Sequence, residues 1–507
     1  MSNFMEALEN ATNYTTTLNG AITHKSTLNP VLDLFSMGGA YRRRSEEDCI
    51  LLFKKAYETD RLHALRCLFY LGDVRGGQGE RRFFRVCLKW LAKTHPEDVR
   101  TNLQYIPFFR RWDDLYVLDK TPLENDAYQF IKEQLALDVQ SKTPSLLAKW
   151  LKSENTSSAD SQYLGMKTRK FLNMTPRQYR KTLSILRKRI NVLERLMSAN
   201  EWDKIEFDKI PSKAGMKYKN AFARHDIERA KAGARTYESF AKDETTKVNA
   251  KALYPYECVN EAFKVMGYKD MWSYRDRSVA LDDTQRLMAN KYWDNLTDYF
   301  QGKTFNGIAL IDTSGSMFGN SADAPLNIAV SLGMYCAERN SGPYAGKFLS
   351  FESAPHLIDV EGVDFCDKVY RISGTAWGGS TNVEAAFDLL LQTAIQNHCF
   401  QEDIPENLII ISDMEFNSCV RANSYGRPNA TLMEHIKAKW EAYGYQCPNL
   451  TFWCVNSWQN NIPMKTENGI TFVSGCSPVT YEMIMTGKTS IDLMLDKLDS
   501  DRYSVIR

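Results

Sequence analysis

Three short polar segments in the second half of the chain carry side chains that could bind a metal ion. Asp312-Thr-Ser-Gly-Ser directly follows the apolar run 307–311, and Asp413 follows the apolar run 408–411. Between them, Gly-Gly-Ser-Thr381 precedes a predicted helix. Carboxylate and hydroxyl oxygens are hard ligands, and Mg²⁺ takes about six such oxygens, several of them usually water. The candidate ligands are Asp312, Ser314, Ser316, Thr381 and Asp413.

Other chemistries explain these segments less well. An aspartic protease needs Asp-Thr-Gly, and Ser314 interrupts that order. A serine hydrolase needs a histidine base, and none of the seven histidines lies in the three segments. A polar turn capped by Asp and Ser explains one segment, not three. The pattern favours Mg²⁺, or another divalent cation such as Mn²⁺, and a protein that is not an enzyme.

A parallel sheet would bring the three segments together. From about residue 300, short apolar runs alternate with amphipathic helical segments, which predicts a doubly wound, Rossmann-like α/β domain over residues 300–507. Such sheets bind ligands at the carboxyl ends of their strands. The predicted strands are 308–311, 347–351, 408–412, 451–455 and 470–473. The predicted helices are 324–338, 382–396, 432–443, 479–486 and 490–498.

Residues 1–299 show helical periodicity almost throughout, with Pro and Gly between the periodic segments. This pattern predicts an all-α domain built of paired helices, with HEAT-like repeats too degenerate to show a fixed period. One long helix is predicted from Tyr179 to Met197, with its apolar residues spaced three or four apart. Arg180 and Arg187 are expected on the solvent side of that helix.

Charge is divided unequally along the chain. Residues 1–300 carry 50 Lys and Arg against 39 Asp and Glu, although the net charge of the whole chain is only +2. Residues 141–235 carry 22 basic and 9 acidic side chains. A basic region is typical of nucleic-acid binding, although it is also compatible with solvated helix faces.

Basic residues also lie beside glycines or aromatic rings, a mixture that can contact phosphates and stack unpaired bases. Examples are the segments 72–82, 108–115 and 209–235. Taken singly, each is equally a turn between helices. The candidate RNA-binding residues are Arg75, Arg81, Arg82, Arg110, Arg111, Arg180, Arg187, Lys213, Lys217, Arg224 and His225.

Composition limits the class of protein. At 507 residues the chain is too long for one core, so two or three domains are expected. Its first residues lack the basic start and apolar run of a secretory signal, and no apolar run is long enough to span a membrane. No cysteine and histidine spacing suits zinc. We therefore expect a cytoplasmic protein with no membrane partner.

The three polar segments resemble the metal-ion-dependent adhesion site (MIDAS) of a von Willebrand factor A (vWA) domain. The resemblance covers about residues 300–507. It implies that Asp312, Ser314 and Ser316 are the first-loop ligands, Thr381 the second-loop ligand and Asp413 the third-loop acid. Many family members have Gly-Gly-Thr where this chain has Gly-Gly-Ser-Thr, which leaves Ser380 and Thr381 as alternatives for the second loop.

Further motifs resemble a family of cellular and viral proteins that joins a helical region to a C-terminal vWA domain. They include "LFYLGDVRGGQGERRFF", "RRWDDL", "LLAKWLKSENTSS" and "KIPSKAGMKYKNAFARHD". That family is distantly similar to the Ro family, whose TROVE module is a ring of HEAT-like repeats closed by a vWA domain. The resemblance implies a ribonucleoprotein that binds small structured or single-stranded RNA, not DNA.

Two functions remain open from the sequence. In the first, the basic helical domain binds RNA and the vWA domain holds Mg²⁺, either completing a ring or recruiting a partner. In the second, the protein is an interaction scaffold, and the metal captures an acidic residue of a protein partner without RNA binding.

Overall fold

The first half of the chain is an array of helices with a small β-hairpin between the first and second helices. The structure, a computed structural model, describes residues 3–269, 275–276, 281–319, 321–351, 353–375, 379–417 and 430–507. The predicted all-α character of the first half is confirmed. Its helices are α1 (Asn3–Thr12), α2 (Pro30–Met37), α3 (Glu46–Thr59), α4 (Arg61–Gly72), α5 (Arg81–Thr94), α6 (Pro96–Asn102), α7 (Tyr105–Phe109), α8 (Glu124–Gln140), α9 (Leu147–Trp150), α10 (Ala159–Phe171), α11 (Pro176–Arg189), α12 (Leu193–Ser198), α13 (Ser212–Arg224), α14 (Asp226–Lys231), α15 (Tyr237–Lys242), α16 (Pro255–Val265) and α17 (Asp283–Asp294).

The hairpin joins β1 (Tyr14–Thr16) to β2 (Ile22–His24) in antiparallel register, with Tyr14 opposite His24. The sequence did not predict it. Strands of three residues are too short to show a two-residue alternation of apolar and polar side chains. The hairpin depends on residues that are distant in sequence, since Gly20 and His24 pair with Asn417 and Ile462.

The single helix predicted from Tyr179 to Met197 is wrong. The structure has two helices there, α11 and α12, separated by Asn191 in the left-handed conformation (φ 50°). Asparagine tolerates this conformation better than most residues, so it ends a helix at little cost. The apolar spacing continues across the break because Leu186 and Leu193 are both buried in the same core.

The second half is a six-stranded sheet with helices around it, as predicted for a doubly wound α/β fold. The strand order is β5-β4-β3-β6-β7-β8, parallel throughout except for the antiparallel edge strand β5. The strands are β3 (Gly307–Asp312), β4 (Lys347–Phe351), β5 (Leu357–Asp359), β6 (Asn407–Ser412), β7 (Asn449–Cys454) and β8 (Ile470–Ser474). The helices are α18 (Pro325–Arg339), α19 (Phe365–Ser373), α20 (Val383–Gln396), α21 (Leu432–Ala442), α22 (Thr480–Ile484) and α23 (Ser490–Leu498).

The sequence missed β5 and α19. Strand β5 is three residues long and alternates exposed and buried side chains, so it lacks the continuous apolar run of the central strands. The central strand β3 is buried along its whole length. Helix α18 covers it closely, because a Cβ at Gly333 would lie only 2.9 Å from Ile311 Cδ1.

The two halves share one contact surface. Asn327 of α18 donates to the side chain of Asn260 of α16 at 3.1 Å, and Arg286 of α17 forms an ion pair with Asp364 at 2.8 Å. The backbone N–H of Gly39 donates to Ser474 Oγ at 3.0 Å. A domain boundary at residues 299/300 stays a prediction, since contacts of this kind bind the two halves together.

The C-terminal residues return to the helical half. The carboxylate of Asp73, which is fully buried, accepts hydrogen bonds from the guanidinium of Arg502 at 2.9 Å and from the hydroxyl of Tyr503 at 2.9 Å. It also accepts from the backbone N–H of Arg75 at 2.9 Å, which shapes the glycine-rich turn. Asp73 therefore ties the end of the chain to the turn between α4 and α5.

Within the described part of the chain, no helix combines the length and the apolarity needed to cross a bilayer. Ten cysteines lie in that part; none forms a disulfide bond, and eight are buried. Buried, unpaired cysteines act as small apolar side chains of the core.

Substitution of Asp73 by alanine should destabilise the protein by about 2–3 kcal/mol, because Arg502 and Tyr503 lose their buried acceptor. This destabilisation is smaller than that expected from breaking a fully buried ion pair, because a third of the Arg502 side chain is exposed to solvent. Urea unfolding followed by circular dichroism measures the effect. The control is Asp496→Ala, at an exposed ion pair with Lys488. Equal unfolding midpoints for the two variants would contradict the role of Asp73.

Candidate functional site

Two of the three polar segments lie at the carboxyl ends of neighbouring strands, and the third adjoins the first, since the backbone N–H of Gly315 donates to the oxygen of Gly379 at 3.4 Å. β3 ends at Asp312 and β6 ends at Ser412, directly before Asp413. These two strands pair in parallel, with Ile311 opposite Ile411. The chain order reverses between them, since β4 lies on one side of β3 and β6 on the other. Ligands of doubly wound sheets bind at such a switch point.

Hydrogen bonds fix the carboxylate of Asp312. One oxygen accepts from the backbone N–H of Ser314 at 2.9 Å, and the other accepts from the hydroxyl of Ser412 at 2.5 Å. The hydroxyls of Ser314 and Ser316 lie 3.1 Å apart, so the turn brings the two serines together. The sequence had predicted this convergence but had not assigned a role to Ser412, although it adjoins Asp413.

The side chain of Asp413 is buried beside that of Asp312. It accepts hydrogen bonds from the backbone N–H of Glu415 at 3.2 Å and from the indole Nε1–H of Trp458 at 3.0 Å. The residue between Asp413 and Glu415, Met414, adopts a left-handed backbone conformation with φ 64°. Such a conformation is costly for a side chain of this size and is often found at functional sites.

Burial opposes the ionisation of both acids. It raises the pKa of Asp312 to about 7, and the nearby carboxyl of Asp413 acts in the same direction. Burial likewise raises the pKa of Asp413. Among the described residues, no Lys, Arg or His forms an ion pair with either acid. Two buried carboxyl groups with hydroxyls around them and no cationic partner have the chemistry of a hard-cation site.

Thr381 and Ser380, the two alternatives for the second loop, differ in burial and in partners. Thr381 is 2% exposed, and its hydroxyl lies 3.4 Å from the side-chain nitrogen of Asn19. Ser380 instead makes a 2.6 Å hydrogen bond with Ser353. The described residues contain no cluster of three or more His, Cys, Asp or Glu placed to hold a metal. Hydroxyl oxygens and water would therefore have to complete any coordination here.

Two further residues at this edge of the sheet were missed. Glu415 is buried, burial raises its pKa to about 7, and its carboxylate accepts from Asn461 at 2.9 Å. Its position two residues after Asp413 is the signal that could have found it. Asn19 comes from the hairpin at the other end of the chain, and nothing in the sequence around it indicates a role.

A second candidate site is a large cleft lined mostly by the helical half, with Asp323 and Cys476 of the α/β half at its wall and a volume of about 1330 Å³. Eleven Lys and Arg side chains and four Asp and Glu side chains line it, so its walls carry a clear excess of positive charge. We call it the cationic cleft. Its basic residues are Arg42, Arg81, Arg82, Arg110, Arg111, Lys149, Arg180, Arg187, Arg195, Lys213 and Lys217.

Eight of the eleven predicted RNA-binding residues line the cationic cleft. The other three lie outside it. Arg75 donates to the backbone oxygen of Phe108 at 3.1 Å, and Arg224 donates to that of Asn220 at 3.2 Å. His225 stacks on Trp202 with ring centroids 3.8 Å apart. Arg42, Lys149 and Arg195 line the cleft but were not predicted, although Lys149 and Arg195 lie in the basic region 141–235.

Several cleft arginines are already engaged by the protein. Arg110 is buried against Asp114 at 3.2 Å, and Arg111 pairs with Asp113 at 3.0 Å. Arg187, which was expected to face solvent, donates to the backbone oxygen of Ala148 at 2.8 Å because α11 packs against α9. These side chains shape the wall of the cleft and are less free to contact a ligand.

Other cations in the cleft have no acidic partner among the described residues: Lys149, Arg180 and Lys217. Aromatic rings stand beside Lys149 and Lys217. Lys149 Nζ lies 5.7 Å from the ring of Trp150, and the guanidinium of Arg111 covers the same ring at 4.2 Å. Tyr254 and Tyr256 also line the cleft. The mixture of unpaired cations and rings suits a ligand with both phosphates and bases.

Comparisons with known proteins found two matching family models, a related protein and a similar solved structure. Residues 17–112 and 134–304 match a domain of unknown function (DUF2828), and residues 306–502 match another (DUF7788). Uncharacterized protein L728 of Acanthamoeba polyphaga mimivirus is 30% identical over 480 residues, covering 87% of this chain and 79% of that protein. The crystal structure of the Deinococcus radiodurans Ro (RSR) protein is similar over 93% of this chain and 99% of its own, with a TM-score of 0.48 and 12% identity.

The raised pKa of Asp312 predicts a pH dependence of the metal-free protein. The unfolded chain loses this proton near pH 4, whereas the folded protein keeps it up to about pH 7. The free energy of unfolding should therefore fall as the pH rises through this window and then level off.

Urea unfolding in chelator, at about pH 5 and about pH 7.5, measures the change. In Asp312→Asn, which cannot ionise, the decrease should be smaller than in the wild type. Asp496→Asn, at an exposed position, should behave as the wild type does. A wild-type decrease that Asp312→Asn leaves intact would assign the effect to other groups.

Proposed function

We propose that this chain, which belongs to the DUF2828 family and carries a DUF7788 region after it, is a non-catalytic RNA-binding protein. In this proposal the cationic cleft holds a single strand of RNA. The observation that carries the proposal is the excess of cations lining that cleft, together with the rings of Trp150, Tyr254 and Tyr256. Lys and Arg contacts with phosphate supply most of the affinity for nucleic acids.

A single strand suits the cleft better than a duplex does. Bases of a single strand are unpaired and can stack on aromatic rings, whereas duplex bases are hidden in the helix. Trp150 already stacks with Arg111 on one side, as a platform for a base would. A small structured RNA would enter the cleft with its single-stranded part.

We further propose that Asp312, Ser314, Ser316, Thr381 and Asp413 hold Mg²⁺ or a similar divalent cation. The support is the pair of buried carboxyl groups without a cationic partner among the described residues. Bound there, the ion would neutralise both acids and supply a positive charge at the edge of the sheet. Asp312 and Asp413 would bind as carboxylates, and the three hydroxyls would bind directly or through water.

Removing the unpaired cations of the cleft should weaken RNA binding. In Lys149→Ala/Arg180→Ala/Lys217→Ala, the affinity for a single-stranded oligoribonucleotide should fall at low salt. The slope of log affinity against log salt should become shallower by about 0.7 for each phosphate that the protein no longer neutralises, or about 2 for three phosphates. Fluorescence anisotropy between about 50 and 200 mM salt measures both quantities.

The matched control is Lys170→Ala/Lys181→Ala/Lys188→Ala, which removes three exposed charges that do not line the cleft. It should keep the wild-type affinity and slope. An equal loss of affinity in both triple variants would show that the net charge of the protein, and not the cationic cleft, determines RNA binding. A wild-type protein without RNA affinity even at low salt would refute the proposal, and a duplex or single-stranded DNA probe tests the preference for RNA.

The metal proposal predicts that Asp312→Ala and Asp413→Ala abolish Mg²⁺ binding in calorimetry and leave RNA affinity unchanged, since the two sites use different residues. Asp359→Ala, at the exposed edge of the same sheet, should bind Mg²⁺ normally. The scaffold function would instead be established by two results together. The wild type would bind no RNA, and a pull-down would recover a protein partner with the wild type but not with Asp312→Ala.

A further inference from the structure

The tip of the N-terminal hairpin lies against the loop that carries the proposed metal ligand Asp413. Three consecutive residues make the contact. The hydroxyl of Thr17 donates to the backbone oxygen of Phe416 at 2.6 Å, and the backbone N–H of Leu18 donates to the Glu415 carboxylate at 2.7 Å. The side-chain amide of Asn19 donates to the backbone oxygen of Glu415 at 2.5 Å.

The same amide of Asn19 reaches the proposed ligand Thr381, with Nδ2 3.4 Å from Oγ1. Thr381 is also held by its backbone, since its carbonyl oxygen accepts from the N–H of Asn417 at 3.0 Å. Asn417 in turn forms a β-bridge with Gly20 of the hairpin. The hairpin tip therefore contacts the second and third loops of the site at once.

The base of the hairpin is fixed independently. His24 and Ile462 exchange both backbone hydrogen bonds, each at 2.9 Å, and the hydroxyl of Thr23 donates to the Ile462 oxygen at 2.7 Å. Six residues beyond His24 the chain enters α2 of the helical half. The hairpin is thus a strap that runs from the helical half to the strand ends of the α/β half.

We infer that Asn19 is a positioning residue of the metal centre, and that binding of the ion and docking of the hairpin tip are coupled. The inference rests on the metal site proposed above. A hydroxyl oxygen has two lone pairs, so Thr381 Oγ1 can accept from Asn19 with one and face an ion with the other. Partners of this kind orient a metal ligand, and their removal lowers metal affinity by about 10- to 100-fold.

Coupling must act in both directions. If the docked hairpin strengthens ion binding, the ion stabilises the docked hairpin by the same factor. The ion would then fasten the helical half to the α/β half within one chain. This arrangement favours the metal site as an internal junction over an open site for the acid of a protein partner.

Two measurements on the whole 507-residue chain test the inference. Calorimetry with Mg²⁺ compares Asn19→Ala with Leu18→Ala, a matched control whose side chain is 67% exposed and whose backbone N–H stays in place. Asn19→Ala should bind Mg²⁺ about 10-fold more weakly, and Leu18→Ala as the wild type does. The second measurement is the backbone hydrogen exchange of residues 13–24 with and without Mg²⁺. Mg²⁺ should slow this exchange in the wild type, and equally in the control Leu18→Ala.

The outcomes separate this inference from the metal proposal. If the wild type binds no Mg²⁺, the metal site itself is refuted and the inference falls with it. If the wild type binds Mg²⁺ but the exchange of the hairpin does not change, the coupling is refuted and the metal site stands. Equal Mg²⁺ affinities of Asn19→Ala and Leu18→Ala would likewise exclude a positioning role for Asn19.

Discussion

The parallel pairing of β3 with β6 forces two carboxyl groups into one buried place. Because Asp312 ends one strand and Asp413 directly follows the other, the register that buries the apolar strands also brings the acids together. Burial raises the pKa of each acid, and the charge of Asp413 adds to the effect at Asp312. Hydrogen bonds from Ser412 and Trp458 offset only part of the cost of burial, and a cation would offset far more.

The same balance of charge and burial shapes the helical half. Asp113 and Asp114 are buried, and positive side chains outnumber them: Arg81, Arg85, Arg110, Arg111 and Lys152 all lie within ion-pair distance of one or both acids. The pairs hold the wall of the cationic cleft in place, while cations such as Arg180 stay available to a ligand. A cleft built in this way is both rigid and positive, which suits the recognition of a phosphate backbone.

Both ends of the chain cross from one half to the other. The hairpin near the N-terminus contacts the strand-end site through Asn19, and the C-terminal Arg502 and Tyr503 bind Asp73 beside the cationic cleft. Each crossing reaches a loop next to one of the two candidate sites. Each candidate site therefore adjoins a contact between the two halves.

The sequence alone determined the class of fold and the position of the two buried acids at strand ends. Apolar runs of sheet length alternating with helical periodicity report the α/β half, and an acid that follows an apolar run must lie at a strand end, as Asp312 and Asp413 do. Local periodicity could not show the break at Asn191 or the three-residue strands of the hairpin. Tertiary structure decided which cations are free, because Arg187 and Lys149 look alike in sequence, yet only Arg187 is held by backbone oxygens of α9 and the residues after it. It also decided that Asn19 stands beside Thr381, since contacts between residues hundreds of positions apart depend on packing and leave no local pattern.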